Sequence, residues 1–249
     1  MPNLRESIAE AVKNKVAIGH FNISNLEGLW AVFRAAQKLN VPVIIGVSEG
    51  ERDFVGVRQA VALIRSVRDE FNYPIFLNAD HTYSFDRVKE AIDAGFDSVI
   101  FDGAKLSLEE NTAITKKCVE YARASGRDVL IEGELGFIGQ SSKILEAVPE
   151  GVGLSGDALT KPEVAENFVK DTGIDLFAPA VGNFHGIVRD NRAVKKIDDT
   201  RVAEIAKATG VPLVLHGGSG TAEQEFTGAI NSGISIVHLN TELRVAYRR

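Results

Sequence analysis

A chain of 249 residues, 45% hydrophobic and 25% charged, holds enough apolar material for a large core and is too apolar to be a disordered or low-complexity segment. The formal charge of -6 comes with no basic block, so nucleic acid and anionic membrane surfaces are not natural partners, and an anionic substrate needs a local basic or metal site. The single cysteine, Cys118, can form no internal disulfide; it fits a reducing compartment and, within a helical stretch, a core position rather than a catalytic one.

Along the chain, a leading helix is predicted over residues 3 to 14. The preceding M-P-N-L-R-E-S lacks the apolar segment of a signal peptide, and no apolar run approaches the roughly 18 residues of a membrane span, so the cytoplasm is the expected compartment. Strands then read V-A-I-G-H-F (16 to 21), V-P-V-I-I-G-V-S (41 to 48), P-I-F-L-N-A-D (74 to 80) and S-V-I-F-D-G (98 to 103). Four more follow: D-V-L-I-E-G-E-L (128 to 135), D-L-F-A-P-A-V-G (175 to 182), V-P-L-V-L-H-G-G (211 to 218) and I-S-I-V-H-L-N-T (234 to 241). Between them run segments of helical period such as E-G-L-W-A-V-F-R-A-A-Q-K-L and S-F-D-R-V-K-E-A-I-D-A-G.

Eight strands alternating with helices predict a single-domain (β/α)8 barrel over residues 1 to 249, in preference to an open doubly wound sheet. The connection from 136 to 160 is long and Gly-rich, as a mobile active-site loop would be. At Arg249 the eighth helix has barely begun, so further chain is expected beyond it.

In such a barrel, polar groups at the carboxyl ends of the strands converge on the catalytic face. The five histidines, His20, His81, His185, His216 and His238, all fall at or just beyond the ends of predicted strands. His81, His185 and His216 follow apolar runs directly and have small or flexible neighbours, which makes them the best three-imidazole set for a catalytic zinc with an open further position. His20 reads as a structural strand-end residue. His238 stays open. Acids gather at the same face: Asp80, Asp102, Glu132 and Glu134, the last two sent to one side by strand alternation. Asp80, beside His81, is placed to accept or return a proton next to whatever the metal polarises. H-G-G-S-G (216 to 220), before a helix, presents N–H groups to an anion, with phosphate the expected guest, and Asn240, Thr241 and Glu242 add a hydroxyl and further N–H groups.

These residues resemble the class II, metal-dependent fructose- and tagatose-bisphosphate aldolases. The resemblance runs in family order through G-H-F-N-I-S-N-L-E, V-S-E-G, N-A-D-H-T, V-I-F-D-G-A, I-E-G-E-L-G, A-V-G-N-F-H-G, V-L-H-G-G-S-G and N-T-E-L-R. It implies that His81, His185 and His216 bind zinc, with Asp102 and Glu134 at an alternate or second position for a divalent or monovalent cation, and with Asp80 as acid/base. It implies that Gly186, Gly217, Gly218, Ser219 and Thr241 hold the phosphate of dihydroxyacetone phosphate, and that the C3–C4 bond of a ketose 1,6-bisphosphate breaks through a metal-stabilised enediolate, releasing glyceraldehyde 3-phosphate. A homo-oligomer, dimer or tetramer, follows from the same likeness. Two positions depart from the family. Its loop G-G-x-E-D is G-F-I-G-Q-S-S here, leaving Glu146 and Glu150 as stand-ins for the loop acid, and its substrate-touching Asn in strand eight is His238. An aldolase of altered aldehyde specificity and a non-catalytic sugar-phosphate or metal-binding relative are the alternatives. A metal-dependent hydrolase has less need of a phosphate cradle.

Overall fold

The computed structural model describes residues 1–139, 142–189 and 195–248. Its strands are β1 (Ile18–Asn22), β2 (Val43–Val47), β3 (Ile75–Thr82), β4 (Ser98–Phe101), β5 (Leu130–Leu135), β6 (Ile144–Leu145), β7 (Leu176–Pro179), β8 (Ile187–Val188), β9 (Leu213–Leu215) and β10 (Ile234–Leu239). All but β6 and β8 form a closed barrel in the order β1-β10-β9-β7-β5-β4-β3-β2, every pair parallel. The eight predicted strands are these eight barrel strands. Five of them end earlier than predicted, and the two that stop three residues short, β7 and β9, are followed by glycines that turn the chain out of the ladder: Gly182 at φ 100° and Gly217 at φ 65°.

Each barrel strand is buried on both sides, which explains its unbroken apolar character. The outward residues, among them Val43, Ile45, Ile75, Leu77, Val99, Ile131 and Leu213, pack under the surrounding helices. The amino end of the interior is closed by the leading helix α1 (Leu4–Asn14), which opens on a capping box of Asn3 and Glu6. Its Leu4, Ile8 and Ala11 pack against Ile18, Ile44, Phe76, Leu130, Leu176, Val214 and Ile236 of the strands. Burying a side chain such as Ile8 stabilises by roughly 1.5–3 kcal/mol, so α1 is a plug that seals one end and leaves the other for chemistry.

Within the connection over 136 to 160, β6 pairs with β8, the segment that follows β7, matching Ile144 with Ile187 and Leu145 with Val188. A helix that the sequence pattern did not separate, α3 (Glu49–Val55), follows β2. Cys118, in α6 (Leu108–Ala124), is fully buried. No helix among the described residues is long and apolar enough to cross a membrane.

Candidate active site

Inside the barrel, polarity rises along β1, β3, β5, β9 and β10 toward their carboxyl ends. Two residues beyond the apolar layer on α1 stand His20, Gly46, Asn78, Glu132, His216 and His238; two further again stand Asn22, Asp80 and Glu134. Apart from Gly46 these are buried polar groups on the inward side, as a strand's period of two requires. One of the five histidines therefore does not stand at a strand end, where the sequence placed it. His20 is the middle residue of β1, whereas His238 is the next-to-last residue of β10. They are register partners across the seam where the first and last strands meet, and their rings stack at 3.4 Å and 4°. His20 Nε2 also meets Asn78 Oδ1 at 3.1 Å. Burial, aided by His238, lowers His20 to about 3, which keeps it neutral.

The three histidines nominated for a metal come together. Ring centroids lie 4.6 Å apart for His81 and His185, 4.8 Å for His81 and His216, and 5.9 Å for His185 and His216. One ligand atom from each falls within 4.8 Å of the others. Among the described residues, His185 Nε2 and His216 Nδ1 are buried without a hydrogen-bond partner, an arrangement that natural interiors rarely leave unfilled. Burial pushes His216 down to about 3 and His185 well below its ordinary value, with His81 adding to both. Neutral imidazoles with free lone pairs are what a divalent cation needs. His216 Nε2 faces Glu132 Oε1 at 2.8 Å, a pairing that leaves Nδ1 free and fixes the ring.

His81 closes β3 in an unusual backbone conformation, φ 38°, where the pairing with β4 shifts register between Ala79 and Thr82. Such a conformation in a non-glycine residue costs of order 1–3 kcal/mol and persists only where neighbours impose it. Arg52 of α3, 1% exposed, is that neighbour. Its Nη1 donates to the carbonyls of Val47 (2.7 Å) and Asp80 (3.1 Å), and its Nη2 to Thr82 Oγ1 (3.0 Å). On the far side of His81, Nδ1 meets Asp102 Oδ2 at 2.9 Å and Glu134 Oε2 at 3.9 Å, making a second set of ligand atoms. Burial opposes charge on His81, but Asp80, Asp102 and Glu134 outweigh it and raise it to about 10. Glu134 moves well above its usual range through burial and the neighbouring Asp102.

Asp80 is held at one oxygen and open at the other. Oδ2 accepts from Asn22 Nδ2 at 2.9 Å. Oδ1 lies 3.9 Å from His81 Nε2 and 3.3 Å from His238 Nδ1, yet is aligned for no hydrogen bond. Burial would raise this carboxyl; His81 and His238 more than offset it and keep it well below the carboxylate range.

Asp80, His81, His185, Gly186, His216, Gly217, Ser219, His238, Asn240 and Thr241 all line one cleft of about 250 Å³. Two glycine turns form its anion side. Gly217 approaches so closely that an added Cβ would lie 2.3 Å from the Phe184 carbonyl oxygen. Among the described residues, the N–H groups of Gly186, Gly217, Ser219 and Thr241 take part in none of the backbone hydrogen bonds of these turns, whereas the Gly218 N–H is committed to the His238 carbonyl at 3.0 Å. Gly218 therefore shapes the turn without an amide to offer. Ser219 Oγ accepts from the N–H groups of Asn240 (3.2 Å) and Glu242 (3.3 Å), tying the turn to the start of α10 (Thr241–Tyr247).

Glu146 is exposed and paired with Arg189 at 3.0 Å, Glu150 is exposed, and neither lines the cleft. Gln140 and Ser141 of the same connection lie outside the described residues. Sequence reasoning overlooked Asn22, Arg52 and Lys195. Asn22 shares the inward side with Ile18 and His20, so alternation along β1 was the signal that would have found it. Arg52 and Lys195 carry no such signal, because each reaches the site from outside the barrel strands.

Residues 2–249 match the family described as fructose-bisphosphate aldolase class-II. The chain is 38% identical to the fructose-bisphosphate aldolase of Geobacillus stearothermophilus over 99% of its own length and 83% of that protein. It is also 38% identical to the fructose-bisphosphate aldolase of Staphylococcus aureus, with 98% and 82% covered. Among solved structures, the YdjI aldolase from Escherichia coli K12 superposes with a TM-score of 0.81 at 28% identity, over 99% of this chain and 84% of that one.

Proposed function

The chain belongs to the fructose-bisphosphate aldolase class-II family and is an aldolase, and we propose that it cleaves a ketose 1,6-bisphosphate between C3 and C4. The products are dihydroxyacetone phosphate and glyceraldehyde 3-phosphate, and the reaction runs in both directions. His81, His185 and His216 would hold the metal, and three imidazoles with a free further position suit zinc. When bound, that cation supplies a Lewis acid that polarises the ketone and steadies the negative charge developing on that fragment.

The remaining work falls to the chain's own groups. Asp80 Oδ1, ionised and without a hydrogen bond, takes the proton of the C4 hydroxyl as the C3–C4 bond breaks, so that C4 leaves as an aldehyde; in condensation it returns the proton. Asn22 holds Oδ2 and keeps Oδ1 turned into the cleft. The free N–H groups of Gly186, Gly217, Ser219 and Thr241 seat the phosphate and fix the triose end.

The observation that carries this reading is the convergence of three buried imidazoles, two of them with unpartnered nitrogens, beside a carboxylate with one unpartnered oxygen. The test measures dihydroxyacetone phosphate release from fructose and tagatose 1,6-bisphosphates, with and without chelator, in the native protein and in Asp80→Ala. Turnover should vanish with chelator and fall about 10²- to 10⁴-fold in the variant. Chelator-insensitive turnover, or full activity without Asp80, refutes the mechanism. One observation favours a second reading, an aldolase for a different aldehyde: the His238 ring, 3.3 Å from Asp80 Oδ1, occupies space beside the base. That reading requires condensation of dihydroxyacetone phosphate to run faster with some other aldehyde than with glyceraldehyde 3-phosphate.

A further inference from the structure

Behind the cleft sits a charge that the aldol chemistry leaves unused. Lys195 is 3% exposed, and its Nζ donates to the carbonyls of Gly186 (2.7 Å), Gly217 (2.6 Å) and Ser219. These oxygens come from the two turns that form the anion side of the cleft. Three carbonyl dipoles aimed at one point repel one another unless a cation stands between them, and an ammonium has three N–H donors to match. The face of Phe184, 4.5 Å from Nζ, closes another side. Burial pulls the Lys195 amine down to about 7, with Glu242 opposing, but only the protonated form satisfies all three oxygens.

The consequence lies in the peptide units. Each of the three carbonyls shares a planar peptide with the N–H of the next residue, and each of those N–H groups is also held. Ile187 N–H donates to the Lys143 carbonyl (3.1 Å), Gly218 N–H to the His238 carbonyl (3.0 Å), and Gly220 N–H to Glu242 Oε1 (2.9 Å). A peptide plane fixed at both ends cannot rotate. The free N–H groups of Gly186, Gly217 and Ser219 belong to the adjoining peptide units, one Cα away from these fixed planes, so holding the planes narrows the directions those groups can take beside the cleft that these residues line. We propose that Lys195 is a positioning residue, a tethered monovalent cation that locks the phosphate seat and makes a free potassium or ammonium ion unnecessary there. This inference rests on the reading of these turns as a phosphate seat.

The test uses glycerol phosphate, a phosphomonoester with no carbonyl to chelate, and measures its affinity calorimetrically in potassium, ammonium and tetramethylammonium salts. Native affinity should be the same in all three. Lys195→Met should bind at least roughly tenfold more weakly in tetramethylammonium, the scale of a hydrogen bond to a charged group. It should recover in potassium or ammonium, whose small ions enter the space the side chain leaves. Native binding that demands potassium overturns the proposal without any variant, so a variant that fails to fold does not shelter it. Undiminished binding by Lys195→Met in tetramethylammonium overturns it too, as does weak binding by a folded variant in every salt. Native protein that binds no glycerol phosphate at all removes the phosphate seat itself, and this inference with it.

Discussion

His216 Nε2 and Glu132 Oε1 face each other at 2.8 Å, with both side chains 1% exposed. The pairing presents the other ring nitrogen, Nδ1, in a fixed direction, and burial raises Glu132 to about 7. Glu132→Gln should keep the fold and lower affinity for the metal about 10- to 100-fold, read by competition with a chromogenic chelator. An unchanged metal affinity would mean that Glu132 does not set the orientation of His216.

Asn22 acts one step from the chemistry. Its Nδ2 donates at 2.9 Å both to Asp80 Oδ2 and to Glu51 Oε2, and Glu51 Oε1 in turn accepts from Arg244 Nη2 at 2.9 Å. The amide thus anchors Asp80 to a chain of groups outside the barrel interior. Removing it in Asn22→Ala breaks both hydrogen bonds, of which the one to Asp80, worth roughly 1 kcal/mol, bears on the chemistry and should lower kcat about fivefold. Metal content should not change. Loss of metal together with activity would place Asn22 in the cation site instead.

The barrel was legible in the sequence because a strand buried on both sides is an apolar run, and eight such runs alternating with helical periods admit few other architectures. His81, His185 and His216 were legible for a related reason: each interrupts or follows such a run where the fold gathers its chemistry. The His20–His238 stack was not. It exists only because β1 and β10 close the barrel, and register across that seam is not a local property of either segment. Lys195 was equally hidden, since K-K-I-D-D reads as a solvated charge run, whereas three carbonyl oxygens from distant turns draw its ammonium inside.

Cys118 is fully buried on α6, and burial lifts its thiol to about 12, against an ordinary value near 9. The sign of the shift disfavours the thiolate, which is the reactive form. At any pH below 9 the folded chain therefore carries about a thousandfold less Cys118 thiolate than the unfolded one, before access is counted. A thiol reagent at pH 8 should label denatured protein once per chain and leave native protein unlabelled on the same timescale. Because the folded value is the higher one, any stability linked to this proton is complete below pH 9 and is lost as the pH climbs toward 12. Rapid labelling of the native protein would contradict its place in the core.

Gly46 makes room for the imidazole layer. A Cβ at this position of β2 would lie 2.1 Å from His20 Cε1 and 2.4 Å from Nε2, inside a ring already fixed by Asn78 on one side and by the His238 stack on the other. The ring cannot retreat without breaking one of those contacts. Gly46→Ala should therefore destabilise by about 1–3 kcal/mol, the usual cost of overpacking an interior, seen as a lower urea midpoint. The clash disappears if the ring is absent, so in the His20→Ala background the same change should cost much less. The two substitutions would then show the non-additivity expected of side chains in contact. Equal costs in both backgrounds would show that the glycine is needed for β2 itself and not for the histidine that leans on it.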